Sequence, residues 1–233
     1  MNLNHKISME LDHIFIFTEF PEQAAQSLQQ FGLTEGTPNV HPGQGTACRR
    51  FFFNNAYLEL VWVTSEEEIK SPVVAKTKLW ERSQYKLTRY CPFGLCFRKK
   101  NQLSEPDTLF EDCWQYKSSY FPDGLYANVA SNTNFPAEPM LFELSFSRIA
   151  PNDYPAEYQQ PLKHSREFRE ITKIILELPG PVNHLSDAMK KVINNSIVTL
   201  DEGDNYSAIL EFDHGIKGEA RSFHNTLPLT IHW

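Results

Sequence analysis

The stretch Met9-Glu10-Leu11-Asp12-His13-Ile14-Phe15-Ile16-Phe17-Thr18 constrains the fold more than any other, because it is the clearest strand in the chain. Side chains alternate faces along a strand, so His13, Phe15 and Phe17 share one side while Ile14 and Ile16 take the other. Both sides are largely apolar, which suits a strand covered on two faces. The imidazole in its middle needs a partner: either it donates to a backbone carbonyl as a core histidine, or it belongs to a chemical site.

Pro21 opens a helix over Glu22 to Phe31, with Ala24, Ala25, Leu28 and Phe31 at helical spacing and Gly32 placed to stop it. Thr34 to Thr46, rich in Gly, Pro, Asn and Thr, reads as a loop. Its run His41-Pro42-Gly43-Gln44-Gly45-Thr46 is either a connector or a binding loop whose backbone donors meet an anionic or carbonyl ligand; His41 and Thr46 are its candidate binding residues. Ala47 to Phe53 and Ala56 to Thr64 form a hairpin across Asn54-Asn55, and Tyr57, Glu59 and Val61 share a face of its second strand. The opening third therefore reads strand, helix, loop, strand, strand. A sheet that small needs another layer or a second copy.

Ser65 to about Gln84 reads as a surface helix interrupted at Pro72. Beyond it, Phe93 to Arg98, Leu125 to Ala130 and Leu141 to Phe146 read as strands and Glu105 to Trp114 as a short helix, with proline-rich links. After Arg169 the opening order returns: a strand over Ile171 to Leu178, a helix over Ser186 to Asn194, then strands Ser196 to Leu200 and Tyr206 to Asp213, turned at Gly203-Asp204. Tyr57-Leu58-Glu59-Leu60 and Ile209-Leu210-Glu211-Phe212 match in pattern, so Glu211 takes the place in the last unit that Glu59 takes in the first. The expected division is 1–66, 67–167 and 168–233, the middle segment packed on the outer two as one compact unit.

A net charge of -7 and a pI near 5.6, with no basic stripe, argue against a polyanionic partner such as nucleic acid. No run approaches the roughly 18 to 20 apolar residues that cross a bilayer, so no membrane partner is expected and the chain reads as cytoplasmic. Cys48, Cys91, Cys96 and Cys113 are too few for a disulfide framework and read as reduced structural thiols.

The sharpest chemical signal is a carboxylate at the centre of each of two apolar strands, because burying Glu59 or Glu211 unpaired costs several kcal/mol. A metal or a cation must compensate. Lys173 is the competing cation, able to pair with either glutamate in a metal-free pocket, although a one-residue slip of register would turn it to the opposite face. Of Arg49, Arg89 and Arg98, only Arg98 is kept as a candidate clamp for a substrate carboxylate.

These stretches resemble the vicinal oxygen chelate superfamily, specifically its glyoxalase-like members. Leu11-Asp12-His13-Ile14 is similar to that family's first strand, His41 to Arg49 to its His-x-x-x-Gly-Thr-x-Asn loop with Cys48 in place of Asn, and Tyr57-Leu58-Glu59-Leu60 to its closing strand. The resemblance implies an α+β fold of two βαβββ modules paired into a cupped mixed sheet, with the inserted segment between them. It also implies a divalent metal (Zn, Mn, Ni or Fe) held from the first and last strand of each module, at positions His13, Glu59, Lys173 and Glu211 here. Lys173 departs from that pattern, since an ammonium has no lone pair to donate. The expected metal ligands are thus His13, Glu59 and Glu211, with Glu59 and Glu211 catalytic and His41, Thr46, Arg98 and Lys173 binding substrate.

The function so implied is binding of a small oxygenated metabolite in the cup, with metal-dependent lyase, isomerase or dioxygenase chemistry. The alternative is a non-catalytic small-molecule binding or sequestering protein without a metal. The expected partner is a small-molecule ligand, and the expected assembly a homodimer.

Overall fold

The computed structural model describes residues 9–99 and 108–233. The chain opens with β1 (Met9–Phe17), α1 (Pro21–Phe31), β2 (Asn39–His41), β3 (Thr46–Phe52) and β4 (Tyr57–Val63). Proline at the first turn starts α1, and Gly32 at φ 118° closes it in the left-handed conformation that a side chain disfavours. Four single-turn helices follow: α2 (Glu66–Ile69), α3 (Pro72–Ala75), α4 (Leu79–Ser83) and α5 (Tyr85–Thr88). The expected surface helix is broken because Pro72 begins a new turn and Lys78 takes a positive φ.

Next come β5 (Phe93–Lys99), β6 (Cys113–Tyr116), β7 (Ala127–Ala130) and β8 (Met140–Leu144). Part of the helix expected over Glu105 to Trp114 lies outside the described residues; from Thr108 onward the chain is extended or bent and enters β6. The last third holds β9 (Ile171–Pro179), α6 (Asp187–Asn195), β10 (Val198–Gly203), β11 (Ser207–Phe212), β12 (Ala220–Ser222) and β13 (Leu229–His232).

Strands β1 to β8 form one mixed sheet in the order β2-β3-β4-β1-β5-β8-β7-β6. Its two halves repeat one pattern: β1 pairs in parallel with β4, β5 in parallel with β8, and the outer strands of each half are antiparallel. The halves meet where β1 lies antiparallel to β5. This is the α+β, two-module cup, but its second half comes from residues 93–144, inside the segment expected to be an insertion.

Residues 168–233 instead contribute a separate five-stranded sheet, ordered β10-β9-β11-β13-β12. Here the first strand pairs with the second in parallel across α6, so the topology differs from that of the cup modules. The match between Glu59 and Glu211 is therefore not a structural equivalence. Alternating apolar residues around one carboxylate are a pattern that any half-buried strand can carry.

Alternation along β1 sorts the chain into two apolar layers. Ile14 and Ile16, with Leu58 and Leu95, face α1 and the second sheet, where Ile174, Leu176 and Leu210 complete a core with no exposed surface at these positions. Each such side chain contributes about 1.5–3 kcal/mol relative to exposure. Phe15, Phe17, Val61 and Phe142 line the opposite, concave face. The second sheet thus backs the cup and leaves its hollow open.

Candidate functional site

On the concave face lies a cavity of about 270 Å³, reached by His13 and Phe15 of β1, Tyr57 and Glu59 of β4, and Met140 and Phe142 of β8. Its geometry begins with an irregularity in β1. Leu11 pairs with Phe97 and His13 with Cys96, so the register shifts at Asp12. That bulge re-aims a side chain that strict alternation would send away. Asp12 Oδ1 consequently sits 2.7 Å from His13 Nδ1.

Asp12 is buried, and its other oxygen accepts a hydrogen bond from Ser147 and lies 3.7 Å from Arg98 Nη1. Burial pushes its carboxyl upward, but the hydrogen bond and charge of His13, then Ser147 and Arg98, outweigh it and hold the group below the usual carboxylate range. An ionised Asp12 takes the Nδ1 proton of His13 as donor, which points Nε2 into the cavity. The ring is clamped by Tyr57, stacked at 4.6 Å, and Phe142, edge-on at 5.5 Å.

Glu59 Oε2 stands 3.9 Å from His13 Nε2, too long for a hydrogen bond and close enough for one ligand group to touch both. Its Oε1 accepts the Cys48 thiol at 3.4 Å, the only donor to this carboxylate among the described residues. Burial, then the charge of Glu59, pushes the Cys48 thiol far up, so Cys48 acts as a donor and not a thiolate.

Behind this pair runs a buried polar chain. Tyr116 and Tyr120 donate to Gln44 Oε1 at 3.1 and 3.3 Å, and Gln44 Nε2 donates to Thr46 Oγ1 at 2.8 Å. Because the Cys48 thiol gives its proton to Glu59, its sulfur is left to accept from His41 Nε2–H, and a neutral His41 then accepts from the Thr46 hydroxyl at Nδ1, 2.9 Å away. Burial lowers the His41 pKa in the same direction.

The expected site residues thus divide. His13, Glu59 and His41 line the cavity, and Thr46 supports His41 from a fully buried position. Arg98 works from behind, bridging Asp12, Glu10 and the Asn55 carbonyl without lining the cavity. Glu211 and Lys173 are not in the cup at all: they are cross-strand neighbours on β11 and β9, and Glu211 Oε1 accepts from Thr172. Asp12, Gln44, Arg50 and Phe142 escaped sequence reasoning. Adjacency to His13 was the available signal for Asp12, and regular alternation argued against it.

A divalent ion of the kind the resemblance implies has, among the described residues, one candidate cluster, Asp12, His13 and Cys96, whose donor atoms lie within 4.8 Å of one another. Those donor types suit a borderline cation. Asp12, however, is already engaged by His13 and Ser147 beside the Arg98 guanidinium, so a second cation there competes with both. In the cup itself His13 and Glu59 converge, while β8 presents Met140, Phe142 and Leu144 and supplies neither carboxylate nor imidazole. The residues present do not fit the expected three-ligand metal centre.

The two-module cup with His13 and Glu59 facing its cavity is similar in outline to the arrangement that the sequence resemblance implies. The family profile described as "Glyoxalase-like domain" matches residues 11–105, from within β1 through β5, so this part of the chain is similar to that family. A hypothetical protein from Staphylococcus aureus shares the fold with a TM-score of 0.60 at 12% identity, over 96% of this chain and 99% of that one. Methylmalonyl-CoA epimerase from Mycobacterium tuberculosis aligns at 12% identity and a TM-score of 0.37, over 61% of this chain and 91% of that one. The Streptomyces coelicolor epimerase aligns at 11% identity and a TM-score of 0.36, over 59% and 96%. Comparison with curated proteins finds no match. No helix among the described residues is long and apolar enough to cross a membrane.

Proposed function

We propose that the chain binds a small oxygenated metabolite in the cup and moves a proton on it, with His13 and Glu59 as the acid–base pair. The observation that carries this reading is the alignment of Asp12, His13 and Glu59, with 2.7 Å on one side of the imidazole and 3.9 Å on the other. Asp12 holds the Nδ1 proton, His13 Nε2 offers its lone pair to a substrate proton, and the buried Asp12 carboxylate stabilises the imidazolium that forms. Glu59, with a thiol as its one donor, gains a hydrogen bond or a proton when substrate arrives.

Proton transfer of this kind serves an isomerase or a lyase. It favours these over a dioxygenase, because His41, the third candidate ligand on the cavity wall, is engaged by Thr46 through Nδ1 and turned to Cys48 through Nε2. The cavity lies below the 300–1,000 Å³ typical of drug-sized pockets, so the ligand is small. Both halves of the cup belong to one chain, and the reading holds for a monomer and a homodimer alike.

Solvent deuterium exchange into a panel of 2-oxo and 2-hydroxy acids, followed by proton NMR, tests this reading. Exchange should survive EDTA and fall about 10²–10⁴-fold in Glu59→Gln and His13→Gln. Exchange lost with EDTA and restored by Zn²⁺, Mn²⁺, Ni²⁺ or Fe²⁺ would transfer the function to the Asp12, His13 and Cys96 cluster as a metal centre. Ligand-induced stabilisation without any exchange would leave a binding or sequestering protein.

A further inference from the structure

The cavity has two unlike walls. Polar groups come from β1, β3, β4 and the 41–44 turn, whereas Tyr120, Phe121, Met140, Phe142 and Phe146 make the facing wall apolar and largely aromatic. Among the arginines of the described residues, Arg50 is the one that lines this cavity. Its neighbour Arg49 points to the other face of β3 and is spent on Glu35, with Nε to Oε1 at 2.7 Å.

Arg50 is a cross-strand partner of Glu59, yet the two do not form an ion pair. Nε of Arg50 donates to the Thr37 carbonyl at 2.7 Å, and the guanidinium lies over the Phe52 ring at 5.2 Å. Glu59 is meanwhile drawn toward Cys48 and His13. The arginine is therefore pre-positioned through one nitrogen and one ring contact. Its two terminal amino groups make no hydrogen bond or ion pair among the described residues. A planar fork held in this way matches a carboxylate, which it can meet with two parallel hydrogen bonds.

We infer that the cup takes a small carboxylic acid with an apolar or aromatic body, its carboxylate on Arg50, its flat side against Phe142 and Tyr120, and its reacting atoms at His13 and Glu59. The charge pattern agrees. A negative ligand placed against Glu59 alone would be repelled, whereas Arg50, paired with it across the strands, supplies a compensating positive charge on the same cavity wall. The small cavity limits the body to a single ring or a short branched chain. This inference rests on the reading of the cup as a small-molecule site, and it adds the charge and shape of the molecule.

The test is titration of the full chain with phenylglyoxylate, phenylacetate and 4-methylpentanoate, each beside its neutral amide, by isothermal calorimetry and ligand-observed NMR. The acids should bind at least about tenfold more tightly than their amides, as expected for a charged hydrogen-bonded pair. That advantage should vanish in Arg50→Gln and shrink as salt concentration rises. Arg50→Lys, which keeps the charge and loses the fork, should recover part of it. Acids and amides of equal affinity in the wild type would overturn the role of Arg50 while leaving the cup as a binding site. Failure of all six compounds to bind would overturn the cup reading itself. The wild-type comparison stands even where a variant folds poorly.

Discussion

His13 and Asp12 are adjacent in sequence and yet hydrogen-bonded to each other through their side chains, 2.7 Å from Nδ1 to Oδ1, although neighbours on a regular strand point to opposite faces. The register shift between Leu11 and His13 allows this. One extra residue in β1 turns an ordinary alternating strand into a support for an oriented imidazole.

Asp12→Asn should lower proton exchange on a bound substrate by about 10²–10⁴-fold, because an amide at this position favours the wrong ring tautomer. It should also cost about 3 kcal/mol of stability, since Arg98 loses its buried carboxylate partner. The folded-state pKa of Asp12 is depressed, so its contribution is present above about pH 4 and lost as pH falls through the lower, folded value. Urea unfolding across that acid range should show a shallower pH dependence in the variant. Identical slopes would remove Asp12 from this role.

His164 accepts from the Thr34 amide at Nδ1 and donates to the Phe52 carbonyl from Nε2, both at 2.9 Å, so only the neutral ring satisfies both bonds. Burial lowers its pKa, as it does that of His41. Below about pH 6.5 the unfolded chain takes up protons that these folded histidines refuse, and stability therefore falls as pH drops below that value. His164→Gln should be less stable at neutral pH and lose part of that acid dependence in chemical denaturation. An unchanged slope would mean that His164 titrates alike in both states.

Gly94 of β5 faces the ring of Phe15, where an added Cβ would come within 2.0 Å of the ring. Gly94→Ala should cost about 1–3 kcal/mol and push Phe15 into the cavity, weakening any cup ligand. Thermal melts together with ligand titration measure both effects. A variant with wild-type stability and affinity would show that the ring moves freely.

Glu211→Gln should leave cup binding unchanged and alter stability by less than about 1 kcal/mol, because Glu211 is half-exposed on the second sheet. The same calorimetric titration checks it. Loss of ligand affinity in this variant would place Glu211 back in the site.

Legibility followed the range of the forces involved. The strand carrying His13, the helix stopped at Gly32, the Asn54-Asn55 hairpin and the buried Glu59 all follow from alternation, capping and turn preference, which act over a few residues. His13 and Glu59 could be singled out because polar groups in apolar strands demand partners. The choice of partners was less accessible. The strands β9 and β11 match the cup strands in pattern, so pattern alone places Lys173 and Glu211 in the set, and sheet order separates them from it.

Local pattern and the chemistry of individual residues thus specified an α+β chain with an inward-facing histidine and glutamate on its first module. Long-range pairing decided the rest: that β5 and β8 close the cup, that Phe142 occupies its second half, and that residues 168–233 back the sheet. A bulge decided that Asp12 serves His13. Strand pairing between distant segments and a one-residue register shift leave almost no trace in composition or periodicity, because many strands can present the same face to many neighbours and only the packed whole selects among them.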